Sequence, residues 1–171
     1  MLWPSEPPRK YIHNSIANRF ISIDIQDIDQ AVNEALQIVV KSTDVQRGYI
    51  FLFSKERTQL KLAYEVCSPQ IEPHKGILES INVVDFKDFV DQLEHNNDIQ
   101  VGISELSDTP ENKPILEILK RLSIKSFINI PMFYETELVG YIGFDSVSEE
   151  RDWSDQVRYT FRFTGNTIAG A

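Results

Sequence analysis

The stretch that most constrains this chain is KSFINIPMFYETELVGYIGFDSV, residues 125–147. Two runs of β-branched and aromatic residues flank the short polar turn YETE at 134–137. Runs joined that tightly pair as an antiparallel hairpin. A second such pair lies earlier: RGYIFLFS (47–54) is aromatic and β-branched, KERT turns, and QLKLAYEVC (59–67) alternates. There Leu60, Leu62, Tyr64 and Val66 oppose Lys61, Ala63, Glu65 and Cys67. Two hairpins, far apart in the chain, predict a mostly antiparallel sheet that must bury its apolar faces against other elements.

Those elements read as helices. YIHNSIANRFISI spaces Ile12, Ile16, Phe20 and Ile23 helically, and DIDQAVNEALQIVVKSTD sets Ile28, Val32, Ala35, Leu36, Val39 and Val40 on one stripe. SPQIEPHKGILES, with two prolines and a glycine, reads as loop. VVDFKDFVDQLEHNN puts Phe86, Phe89, Val90 and Leu93 on one helical face, DIQVGIS (98–104) reads as a strand, and a helix starts near Pro114. The C-terminal SDQVRYTFRFTGNTIAGA is helical, with Ser154 as its cap and Asp155 near the positive end of the dipole. The predicted order is α-α-β-β-α-β-α-β-β-α. The prolines of MLWPSEPPRK predict an extended arm over residues 1–10, leaving 11–171 as one domain.

Composition narrows the function. The chain has 171 residues, 42% hydrophobic and 25% charged, which suits a globular domain. A net charge of −9 repels phosphate backbones and anionic lipid, so neither nucleic acid nor membrane is an expected partner. No apolar run approaches the roughly 18 residues of a spanning helix, and the N-terminus lacks the layout of a signal peptide. The single Cys67 allows no internal disulfide and no cysteine zinc cluster, and it fits a reducing compartment. A cytoplasmic protein is expected.

Catalytic signatures are missing. The chain has no G-x-S-x-G, no H-E-x-x-H and no G-x-x-x-x-G-K-[ST]. His13, His74 and His95 are scattered and read as solvated surface residues. Asp24, Asp27 and Asp29 in DIQDID miss the spacing of a calcium loop and read as acids at a helix N-terminus. No catalytic and no metal-ligating residues are therefore assigned. Asp145, at a strand end, lacks the companion acids that a phosphoacceptor needs. Two readings stay open for it: it ties down the following loop by accepting from backbone amides, or it faces a ligand.

Three stretches together resemble the GAF domain, a small sensory module of bacterial signalling proteins. SFINIPMFYETELVGYIGFDS is similar to the family's last hairpin, RDWSDQ to the start of its C-terminal helix, and RGYIFLFS…LKLAYEVCSPQIEP to its first hairpin and exit loop. The likeness runs from about residue 11 to 170. It implies an α+β sandwich: a central antiparallel sheet of five to six strands, an N- and C-terminal helix bundle on one face, and middle helices and loops over a pocket on the other. Members of this subgroup commonly adjoin sensor kinase or cyclic-di-GMP turnover domains.

Strand alternation can be set against that picture. Tyr49, Phe51 and Phe53 share one face, and Gly48, Ile50 and Leu52 the other. Phe127 and Asn129 alternate with Ile128 and Ile130, and Tyr141, Gly143 and Asp145 alternate with Gly140, Ile142 and Phe144. The aliphatic sets suit the helix bundle. The aromatic and polar sets suit a pocket with a few directed hydrogen-bonding groups. The candidate ligand residues are Tyr49, Phe51, Phe86, Phe89, Phe127, Asn129, Tyr141 and Asp145. The other reading is that those aromatics simply fill a core beneath the middle helix.

The resemblance has gaps. Bilin-binding members attach chromophore through a cysteine often followed by histidine, whereas Ser68 follows Cys67, so bilin is not expected. The Asn-Lys-Phe-Asp-Glu signature of cyclic-nucleotide binders is missing, and nothing supports haem. The expected protein is a non-catalytic regulatory module. It binds an unidentified small molecule and relays the signal through its terminal helices to an output domain, a kinase or a cyclic-di-GMP turnover domain. Val157, Phe161 and Thr164, with Tyr159 and Phe163 on a second stripe, predict a homodimer through those helices. The alternatives are a structural dimerisation or relay module with a filled pocket, and an enzyme like methionine-sulfoxide reductases of the same fold. One cysteine argues against the second.

Overall fold

The computed structural model describes residues 9–171. Of the arm expected over residues 1–10, residues 1–8 lie outside the described residues, and Arg9 and Lys10 already belong to the first helix. That helix, α1 (Arg9–Phe20), is followed by α2 (Ile28–Thr43). The α2 stripe buries Val32, Ala35, Leu36, Val39 and Val40, and the helix ends at Asp44 in left-handed conformation, φ 54°. The first hairpin is β1 (Arg47–Phe53) and β2 (Gln59–Cys67), and the last is β5 (Ser126–Tyr134) and β6 (Glu137–Ser146). Between them lie β3 (Ser80–Asn82), α3 (Lys87–Glu94), β4 (Ile99–Gly102) and α4 (Lys113–Arg121). The final helix is α5 (Asp155–Ala169), where the Ser154 side chain accepts from the Val157 N–H, the cap that the sequence predicts.

The strands form one six-stranded sheet in the order β3-β2-β1-β6-β5-β4, and every pairing is antiparallel. The α+β sandwich is therefore as expected, with one added element. Three residues are too few to show a period, which is why β3 is read as loop. It pairs with β2 and leads through a 3-10 turn (Val83–Phe86) into α3.

The two faces carry different cores. On one, α1, α2 and α5 pack Ile16, Leu36, Val39 and Phe161 against Ile50, Ile128, Ile130, Ile142 and Phe144. Phe144 and Phe161 stack at 3.8 Å, and Gly165 brings α5 so near that a Cβ there would lie 2.9 Å from the Ile142 side chain. On the other face, Tyr49, Phe51, Leu60 and Tyr141 meet Val90 and Leu93 of α3. Leu119 of α4 covers Phe127 beside them.

The alternation read for β2 changes half-way. Ile50 pairs with Tyr64 but Phe51 with Leu62, so Ala63 is an extra residue, a β-bulge. Leu60 and Leu62 face α3, whereas Tyr64 and Val66 join the helix-bundle core. Because a one-residue shift exchanges faces, Glu65 comes to lie on the α3 side, opposite Tyr49.

Candidate functional site

Under α3 and α4 lies a cavity of about 70 Å³, open on one side. All eight sequence-derived candidates line it: Tyr49, Phe51, Phe86, Phe89, Phe127, Asn129, Tyr141 and Asp145. Their convergence follows from register. Tyr49, Gly143 and Asn129 stand abreast on three adjacent strands. A Cβ at Gly143 would lie 2.2 Å from the Tyr49 ring and 2.4 Å from Asn129 Oδ1. Glycine at 143 thus lets the Tyr49 ring lie across β6 and touch both Asn129 and Asp145. The Phe51 and Tyr141 rings stack at 5.1 Å, and Phe89 of α3 meets Tyr141 edge-on at 5.3 Å.

At the floor is a buried polar network. Asp145 is wholly inaccessible and Arg47 is 1% exposed. Tyr49 donates to Asp145 Oδ1 at 2.7 Å, and Arg47 Nη1 donates to Oδ2 at 3.2 Å. Arg47 also donates from Nε to the Glu72 carbonyl and from Nη2 to the Leu122 carbonyl, each at 2.7 Å, which ties β1 to the loops before β3 and β5. His74 Nε2 lies 3.4 Å from Asp145 Oδ2, and its Nδ1 lies 2.6 Å from Glu65 Oε2. The His74 backbone N–H donates to the same Glu65 oxygen.

Burial raises the Asp145 carboxyl above its ordinary range, while His74, Arg47 and the Tyr49 bond pull it back. Tyr49 and Tyr141 are pushed up first by burial and then by the Asp145 charge, so both stay phenols. Burial also pushes Glu65 upward, but the bonds from His74 and Lys75 more than offset it, and its carboxyl is held low.

Two sequence readings are corrected here. His74, read as a solvated surface residue, is 2% exposed and bridges two carboxylates. Its loop gives no periodic signal, and the Ala63 bulge that aims Glu65 at it is invisible to pattern. Asp145, offered in one reading as a tie to following backbone amides, instead accepts from Arg47 and Tyr49 side chains. The corner after β6 is held by Gln46 Oε1, which accepts from the Val147 and Ser148 N–H groups, and by the Ser146 hydroxyl, which donates to the Glu149 carbonyl. In the sequence Arg47 is simply the first residue of a strand, and a cation beginning an otherwise apolar strand is the one signal that points to it.

Cys67 does not line the cavity. It is half-buried at the end of β2 beside a separate groove with Glu65, Pro73 and Lys75. Burial, then the Glu65 charge, pushes its thiol up to about 11, away from the reactive thiolate. Among the described residues, no group of three or more His, Cys, Asp or Glu side chains is placed to hold a metal ion.

The sequence matches the GAF domain family over residues 27–171. The chain belongs to that family. This GAF domain is 28% identical over 150 residues to the methanogenesis regulatory histidine kinase FilI of Methanothrix harundinacea (strain 6Ac), a match over 85% of this chain and 16% of the kinase. The fold is shared with solved structures that carry bilins. One is the phycocyanobilin-bound GAF domain of a cyanobacterial phytochrome, with TM-score 0.78, 15% identity, and 96% of this chain and 93% of that one covered. Another is a far-red absorbing dark state with bound biliverdin, with TM-score 0.75, 13% identity, and 92% and 95% covered.

These neighbours correct the expectation that bilin is foreign to this chain. The Cys67–Ser68 sequence addresses one mode of covalent attachment only. The fold that carries bilin in those proteins is the fold of this GAF domain.

Proposed function

We propose that this GAF domain is a non-catalytic regulatory module that binds a small organic molecule in the cavity under α3 and α4. The observation that carries this reading is the aromatic wall over the buried Arg47–Asp145–Tyr49–His74 network. Such combinations of apolar faces and few fixed polar groups are what ligand pockets use. Linear tetrapyrroles stand among the ligand classes to screen.

The bound state is relayed to an output domain outside these residues, a kinase being the first candidate given the FilI likeness. A route for the relay lies at the sheet edge. Arg162 of α5 donates to Asn96 Oδ1 at 3.0 Å and pairs with Asp98, both in the loop that follows α3. A shift of α3 over a ligand therefore moves a contact of α5 directly, so two arrangements of the cover bias two arrangements of the helix. Phe161 and Thr164, expected at the dimer surface, are instead buried in the sheet-facing core; the exposed Tyr159 of α5, at 54%, and Tyr11 of α1, at 68%, are what support a C2 homodimer through the terminal helices.

Native mass spectrometry of the freshly purified domain, with a thermal-shift screen that includes biliverdin, tests the reading. A co-purified small molecule, or a shift lost in Tyr49→Phe, is expected. No bound mass and no shift with any class would instead favour a relay module with a filled pocket. The small cavity and the self-satisfied Asp145 are what favour that second reading.

A further inference from the structure

The segment between β2 and β3, residues 68–79, supplies one wall of the cavity through Leu78. Its ends are tied by backbone. The Ser68 N–H donates to the Gln46 carbonyl, and the Glu79 carbonyl accepts from the Leu62 N–H. Its middle hangs on one side chain. His74 is 2% exposed, whereas the other residues from Ser68 to Ser80 are exposed or half-buried. The N–H groups of Ile77 and Leu78 both donate to the His74 carbonyl at 2.7 Å, so the wall follows His74.

This anchor is titratable and sits between two acids. His74 Nδ1 lies 2.6 Å from Glu65 Oε2, and Nε2 lies 3.4 Å from Asp145 Oδ2. A neutral imidazole carries one N–H. It satisfies one carboxylate and turns a lone pair toward the other. Both contacts attract only while the bridge holds a further proton, on the ring or on Asp145, and groups that share a proton in this way titrate as a pair.

The surroundings fix the sign. Glu65 faces the ring from β2 and Asp145 from β6. From β1 come the Tyr49 phenol, its ring 4.5 Å from the imidazole, and Arg47, which pairs with Asp145. Across the cavity α3 and α4 bring Phe89, Ile115, Ile118 and Leu119, none of which titrates. Within the loop, Lys75 is exposed and gives Glu65 its backbone N–H. With the bridging proton, Arg47, His74, Glu65 and Asp145 together are neutral. Without it they hold one buried negative charge, which a low-dielectric site resists. In keeping with a contested proton, burial raises the Asp145 carboxyl while His74 and Arg47 pull it down. The proton also has a route to solvent. Asp145 lines the cavity and Glu65 the separate groove beside Cys67, so the two ring nitrogens of His74 link two openings.

We propose that residues 68–79 form a proton-controlled latch on the cavity: the proton bridging His74 and Asp145 bolts the loop to the sheet, and its loss as pH rises frees the ring from Asp145 and opens the wall at Leu78. The shorter contact to Glu65, with the His74 and Lys75 N–H groups donating to the same carboxylate, keeps the loop on β2, so it swings rather than unfolds. The latch is a property of the unliganded domain and stands apart from what the cavity takes up.

The test is an NMR titration of the unliganded, isotope-labelled domain from about pH 5 to 9, which covers the range where histidines change charge. The His74 ring and the Leu78 methyl groups are followed together. Leu78 shares the cavity with Phe51, Phe86 and Phe89, whose ring currents make its methyls sensitive to displacement. The two signals are expected to move in one step, with the open population rising roughly tenfold to a hundredfold across it, the worth of one hydrogen bond to a charged group. In His74→Gln, which keeps a donor and cannot titrate, the Leu78 step is expected to vanish. Thermal unfolding checks that this variant folds; if it does not, the coincidence of the two steps in the wild type decides alone. Leu78 methyls that stay fixed while His74 titrates, a His74 ring that keeps its state throughout, or a Leu78 step that persists in folded His74→Gln would overturn the latch. Opening on acidification would overturn it too.

Discussion

The two faces of the sheet are built from the same strands and solve different problems. Under α1, α2 and α5 the contacts are aliphatic and aromatic, and Gly165 draws the helix onto the strands. Under α3 and α4 the same strands present two tyrosines, an asparagine, an aspartate and an arginine, closed by His74 and Glu65. Apolar packing tolerates local loss, since its energy is spread over many small contacts. A buried ionic network does not, because removing one member strands another in a low dielectric. The first face is a foundation, and the second concentrates its energy in a few buried polar groups.

The sharpest way to break this contrast is Arg47→Met. It leaves Asp145 buried without its guanidinium, and it removes the donors to the Glu72 and Leu122 carbonyls. A loss of about 3–5 kcal/mol in urea unfolding is expected. Adding Asp145→Leu should recover a substantial part, because an apolar pair replaces a stranded charge. No recovery would mean that the carbonyl ties, not the ion pair, account for the loss.

The same small substitution can then be placed on both faces. At Gly143→Ala the new methyl meets Tyr49 and Asn129 well inside van der Waals contact, and a loss of about 2–3 kcal/mol is expected. At Gly165→Ala the one close atom is the Ile142 γ-methyl at 2.9 Å, a milder overlap than at Gly143, and the gain in helix propensity offsets part of the strain. The expected loss there is about 1 kcal/mol or less. Equal losses by chemical denaturation would contradict the claim that the cavity face is the less adaptable.

Titration separates the two carboxylates within the network. The Asp145 carboxyl is raised on folding, so the native state holds that proton more tightly. Its contribution to stability is present at low pH and is lost as pH rises from the ordinary carboxylate value, about 4, through the raised one. Glu65 is lowered, so its contribution is present above about 4 and is lost as pH falls through the lowered value. Relative to Asp145→Asn, the wild type should lose stability as pH climbs above about 4. Relative to Glu65→Gln it should lose stability as pH drops below that point. Denaturation midpoints across pH 3–7 give both slopes, and slopes of one sign would refute the assignment.

The smallest expected effect is on the foundation. Ser154→Ala removes the α5 cap and should cost about 1 kcal/mol, with ligand binding unchanged.

Much of this division was legible in strand alternation. Ile50, Ile128, Ile130, Ile142 and Phe144 fell on the helix side and Tyr49, Phe51, Asn129, Tyr141 and Asp145 on the other because β1, β5 and β6 keep an unbroken period where these residues lie. Where the period breaks, alternation no longer gives the face. The bulge at Ala63 sends Tyr64 and Val66 to the bundle and Glu65 toward His74. His74 itself sits in an aperiodic loop, and Arg47 opens its strand. Glu65, His74 and Arg47 all reach the site by long-range register or loop placement, which local pattern does not encode.

On the proposed function, the cavity face receives a ligand while the bundle face only supports it. The most direct test is the amide spectrum of the isotope-labelled domain titrated with riboflavin, guanosine and biliverdin. Shifts confined first to Tyr49, Phe89, Phe127, Asn129 and Tyr141, with Ile50, Ile142 and Phe161 initially still, are what this account predicts. Shifts that begin on the bundle face, or none with any probe, would contradict it.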